Sequence, residues 1–299
     1  MTPFSSHWRA KAMDRHHTIA LALLLACMPA AQAAEVAPAA TAWSLSLPAG
    51  EKVPFHGQVN FDKAGQEPGT MLYPVPGLAG FIVSLATHAA VIKSRNQEER
   101  SEIETGADRI LVPFRRTLDT FSYDELAARS FPAVPLLNFG ARPQSGLLIS
   151  SSPVFYMTQD QSALIVDNTV SVFRTGSEQP VYTNTVRVVS RAVEVENEAI
   201  FWQRNGGQWL REVSAALFRE SVEIVREHAL APAAPGAGPQ RTFRYLEGKE
   251  DAIERAVPIS EHCGRALVRN LRGWLMSIPL KRTRPAAPEC AAPAGPPVL

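Results

Sequence analysis

The sequence holds few of the residues that carry recognisable chemistry. Three cysteines in 299 residues are too few for a disulfide framework, and no Cys-x-x-Cys or His-x-x-x-His spacing offers a metal site. The Gly-x-Ser-x-Gly elbow and the Ser-x-x-Lys pair are both missing, which removes the serine hydrolases that bear a local signature. No glycine-rich loop ends in a Lys-Ser/Thr pair, so a phosphate cradle is not indicated. A net charge of +1 gives no footprint for nucleic acid. No apolar run reaches the roughly 20 residues a membrane-spanning helix needs. Carboxylate-based hydrolysis leaves no local motif and survives these exclusions. Neither a cofactor nor a metal is expected.

The amino terminus is the most informative stretch present. Arg9, Lys11, Arg15, His16 and His17 precede an apolar run from Thr18 to Met28, which Pro29 breaks before Ala31-Gln32-Ala33. A basic start, a short greasy middle and a small-x-small exit make residues 1–33 a signal peptide, with Met13 as an alternative start. Its removal takes Arg9, Lys11, Arg15 and Asp14 and turns the net charge to −1. Leu24-Leu25-Ala26-Cys27 resembles the bacterial lipobox; the resemblance covers four residues and implies lipidation at Cys27. The two exits compete, and either one places the protein in the periplasm or at the outer-membrane periphery of a bacterium. Lipidation would tether the chain to a leaflet without spanning it.

Residues 34–42 read as an Ala/Pro spacer, and 43–230 as an α+β core domain. Trp43, Leu45 and Leu47 suggest a first strand. Val53, Phe55, Val59 and Phe61 suggest a second, and Met71-Leu72-Tyr73 a short third. Gly77 to Ile92 is apolar on nearly all sides and reads as a mostly buried helix; the alternatives are a membrane-inserting or partner-binding hairpin element, or the lining of a site for a small apolar ligand. A mixed-charge continuation from Lys93 extends that helix to Leu111, with a frayed turn near Gly106. Ser122 and Glu125 have the spacing of a capping box. From Ser145 three β-branched runs follow, divided at Gln159-Asp160-Gln161 and Thr175-Gly176-Ser177: an antiparallel meander. Beyond Asn205-Gly206-Gly207, Leu210, Val213, Leu217, Ile224 and Val225 lie on one face of a long amphipathic helix.

Residues 231–240 are a Pro/Ala/Gly linker. Residues 241–281 form a small basic appendage, and 282–299 a disordered Pro/Ala-rich tail. Thr242 to Leu246 suggests a strand and Glu247-Gly248-Lys249 a turn. Leu267, Val268, Leu271, Trp274, Leu275 and Ile278 have helical spacing behind Ser260, so 260–278 is expected to be helical, with a hairpin turning at Cys263-Gly264 as the alternative. Arg265, Arg269, Arg272, Lys281, Arg282 and Arg284 run without an acidic residue, a candidate contact for an anionic membrane or a polyanion. The bland alternative is a solvated face. Cys263 and Cys290 are a possible disulfide in an oxidising compartment.

These features point to an exported, non-catalytic cell-envelope protein that works through contacts with an envelope protein or an anionic membrane surface. Two rivals stand beside it. One is an exported hydrolase using Asp160, Asp167, Glu194 or Glu196; the other is a binding module for a small apolar ligand.

Overall fold

A computed structural model describes residues 42–59, 102–138, 140–141, 145–230 and 238–281. The leader with Cys27, most of the spacer and linker, Phe61, residues 71–73, the expected buried helix at 77–92 and its continuation to 101 lie outside them. So do Arg282, Arg284, Cys290 and the tail.

The fold is mixed α+β. The three alternating runs form strands β4 (Leu147–Met157), β5 (Leu164–Arg174) and β6 (Tyr182–Val189). They pair antiparallel in chain order, Leu147 opposite Arg174 and Ile165 opposite Val189. The alternation has the expected consequence: Ile149, Phe155, Val166, Val170 and Val172 turn to one face and are 0–1% exposed. Strands β1 (Trp43–Leu47) and β3 (Leu136–Asn138) extend one side of the sheet, both in parallel registers, and β2 (Phe55–Gly57) also pairs with β4.

Two helices have defined starts. In α1 (Tyr123–Ser130) the Ser122 hydroxyl accepts the Glu125 amide proton at 3.2 Å, a cap worth about 1 kcal/mol. The Glu125 carboxylate accepts instead from Arg129 and Arg211. The long helix α2 (Glu198–Leu230) departs from helical geometry over Arg204 to Gly207. Gly207, at φ +81°, sits where a Cβ would collide with the Thr117 side chain, so this turn needs a glycine. Beyond it Leu210, Val213, Leu217, Phe218, Val222 and Val225 are buried in one cluster with Val166, Val170, Val172, Val186 and Val188 of the sheet. Each such side chain contributes up to about 1.5–3 kcal/mol of transfer free energy.

The helix expected to run through Leu111 changes character. Helical backbone over 102–107 passes into a 3-10 stretch, Asp108–Phe114, which contains Pro113. Proline has no N–H to donate and its ring crowds the preceding turn, which disfavours a continued α-helix here.

The helix expected over 260–278 is replaced by strands. After β7 (Arg241–Glu247), β8 (Glu250–His262) turns at Cys263 and Gly264, with φ of 49° and 74°, into β9 (Arg265–Asn270). A second turn, in which the Asn270 side chain accepts the Arg272 and Trp274 amides at 3.0 Å each, leads to β10 (Leu275–Pro279). Val268, Met276 and Ile278 are buried on one face and Leu275 on the other. Apolar residues on both faces of two short strands reproduced helical spacing by coincidence.

Strand β10 pairs in parallel with β6, so the ten-stranded sheet runs β3-β1-β4-β5-β6-β10-β9-β8-β7, with β2 beside β4 off this path. A second core forms on the face opposite α2, where Ile165 and Val189 meet Phe243, Tyr245, Ala256, Ala266 and Val268. The ribbon curls enough that Tyr245 of β7 pairs with Leu280, just beyond β10.

Candidate functional site

Insertion of β10 beside β6 assembles an ionic cluster at the edge of the second core. Arg187 of β6 stands opposite Asp167 of β5 and donates twice to its carboxylate, at 2.7 and 2.6 Å. Its guanidinium also lies 5.9 Å from the centre of the Trp274 ring, within reach of a cation–π attraction. Burial works against the charge of Arg187, but Asp167 and then Glu247 more than offset it and raise its pKa. From β7, Tyr245 donates to Glu247 at 2.8 Å, and burial followed by the Glu247 charge pushes its hydroxyl well above the ordinary tyrosine value. Gln58 donates to the other Glu247 oxygen. Glu254 of β8 faces Phe243 of β7 across the ladder. Burial raises its pKa, and the charges of Arg272 and Arg187 only partly counter this.

A second polar junction lies between two turns. Asp160 accepts from the Thr158 hydroxyl at 2.6 Å, the Ser162 amide at 3.0 Å and the Lys249 amide at 2.8 Å. Burial opposes its ionisation, but these bonds outweigh it and hold the carboxyl below its usual value. Lys249 also pairs with Glu198 at the start of α2, and Trp202 donates to the Gln161 carbonyl at 2.6 Å. The adjacent depression, lined by residues including Gln58, Gln159 and Glu250, measures about 60 Å³, room for a few waters. A broader, open depression of about 560 Å³ lies among Pro48, Ala49, Glu51, Asn138 and Ser152.

The residues singled out in the sequence do not converge. Asp160 and Asp167 are engaged as above, while Glu194 and Glu196 are exposed between β6 and α2. Arg265 reaches Glu220 of α2 at 3.3 Å and Ser277 Oγ at 2.9 Å. Lys281 pairs with Asp251 at 2.7 Å. Arg269 is half-buried on β9, and Arg272 is exposed in the turn that follows. Cys263 is disulfide-bonded, and its partner lies outside the described residues. Among the described residues no group of three His, Cys, Asp or Glu is placed to hold a metal ion. No described helix is long and apolar enough to cross a membrane.

The chain matches no family model, no curated protein and no solved structure. Its function therefore rests on the residues themselves.

Sequence reasoning found Asp167 but not Arg187, Tyr245, Glu247, Glu254 or Trp274. Their spread along the chain leaves no local signal. The only trace was the opposition of one acidic and one basic residue on adjacent predicted strands, visible once the register of β5 and β6 is known.

Proposed function

We propose that this protein is an exported, non-catalytic component of a bacterial cell envelope, acting through contacts with an envelope protein or an anionic membrane surface. The observation that carries this reading is the engagement of Asp160 and Asp167. Two of the carboxylates a hydrolase would draw on are occupied in holding turns and strands together. The leader at 1–33, with lipidation at Cys27 as its variant, supplies the route out of the cytoplasm. The disulfide at Cys263 fits an oxidising compartment. In this reading Gly77 to Ile92 packs as a mostly buried helix beside the meander and α2, and residues 241–281 make the contacts.

The test is cell fractionation followed by crosslinking and capture of the processed protein. Recovery from periplasm or membranes with a reproducible envelope partner or with lipid supports the reading. Recovery as an unprocessed cytosolic protein overturns it.

One observation favours the hydrolase reading. Glu254 is a half-buried carboxyl with a raised pKa, near the charge of Glu247, and carboxyl pairs with divergent environments can divide acid and base roles. Turnover in a glycoside and ester panel that is lost in Glu254→Gln would establish it.

A further inference from the structure

The register of the β7–β8–β9 ribbon gathers a set of arginines that the linear sequence disperses. Arg244 of β7 stands opposite Ile253 of β8, and Arg269 of β9 stands opposite Val257. Strand alternation puts Ile253, Arg255 and Val257 on one face, the face turned away from buried Ala256. Arg255 is therefore the diagonal neighbour of both Arg244 and Arg269, at about 7–8 Å. Among the described residues none of the three has a carboxylate within ion-pair distance, in contrast to Arg265, which Glu220 holds, and Lys281, which holds the Asp251 of this same face. Ile253 lies among them 59% exposed.

We propose that this face, Arg244, Arg255 and Arg269 around Ile253, docks the protein on an anionic phospholipid bilayer. The inference rests on the contact reading above and names its surface. Arg255 donates only weakly, to Gln240 at 3.4 Å, and guanidinium groups without a carboxylate partner present forked donors suited to phosphate oxygens. Their spread over three strands, on the face turned away from the ribbon's core, makes an outward-facing patch of charge, not a groove. An extended acidic peptide would seek a free strand edge, yet the outermost strand β7 is partly taken: Tyr245 pairs with Leu280, and the Arg244 carbonyl accepts the Lys281 amide at 3.2 Å. The exposed aliphatic side chain at the centre then enters the interfacial layer.

The test is flotation of the full chain with vesicles of one part phosphatidylglycerol to three parts phosphatidylcholine, read against pure phosphatidylcholine and against variants. All of these share the same basic, apolar leader, so the leader's own binding is common to every arm. The triple variant Arg244→Gln, Arg255→Gln, Arg269→Gln should lose about a hundredfold of the anionic-specific partitioning. The triple lysine variant should keep most of it, and circular dichroism should show both folded. Raising ionic strength to about 1 M, where the screening length falls to about 3 Å, should release the wild type. A charge-matched control, Arg115→Gln, Arg116→Gln, Arg174→Gln, should bind like the wild type. Equal loss in that control, full binding by the glutamine triple, or capture by soluble polyglutamate in place of vesicles each overturns the proposal. Failure on vesicles with the processed protein still in the envelope fraction overturns this surface alone and leaves the export reading standing.

Discussion

The Asp160 carboxylate accepts the Lys249 amide proton at 2.8 Å, tying the β4–β5 turn to the β7–β8 turn 89 residues further on. Gly248 makes that approach possible. At φ +65° a Cβ there would stand 2.6 Å from Asp160 Oδ1. Gly248→Ala should therefore destabilise the protein by about 2–4 kcal/mol, through left-handed backbone and collision together. Asp160→Asn should cost about 1–2 kcal/mol at neutral pH, since bonds to the charged carboxylate are weakened. Because the folded pKa is lowered, the stability due to Asp160 is complete above its unfolded value of about 3.9 and is lost as pH falls through the folded value. Urea denaturation of wild type and Asp160→Asn across the acid range should show the two curves converging.

Glu254 has the opposite sign. Its folded pKa is raised by burial, so its contribution is complete below the unfolded value of about 4.3 and is lost as pH rises through the folded one. Glu254→Gln should raise the melting temperature at pH 7, with a gain under about 1 kcal/mol. The gain should disappear in scans below about pH 4.

Arg187 and Asp167 form a largely buried ion pair across the β5–β6 ladder, with side chains 26% and 14% exposed. Removing one partner leaves the other charge partly desolvated. Arg187→Met should cost about 2–4 kcal/mol, and Asp167→Asn a similar amount. The double variant should cost less than the two added together. A double-mutant cycle by chemical denaturation measures that difference.

The meander and α2 were legible because burial on one face imposes a period that the residues show directly, as in Val166, Val170 and Val172 or Leu210, Val213 and Leu217. Ser122 as a cap was legible for a similar local reason. The β9–β10 hairpin was not. Leu267 packs toward one core and Val268 toward the other, which erases the two-residue period, and the spacing to Leu271 and Trp274 across the turn mimics a helix. Nor was the ionic cluster legible. Asp167 and Arg187 meet across the β5–β6 ladder, but Glu247 and Glu254 join them only through the parallel pairing of β10 with β6, a long-range choice with no local signature. The buried chain from Ser151 through Asn168 to Ser221, with bonds of 2.6 and 2.8 Å, escaped for the same reason.

The most direct test of the account is the mass and amino-terminal sequence of the protein recovered from its native cells after separation of cytosol, periplasm and membranes. The account predicts a processed chain in the envelope fractions, beginning at Ala34 or at an acylated Cys27. A chain beginning at Met1 or Met13 among the soluble cytosolic proteins would contradict it.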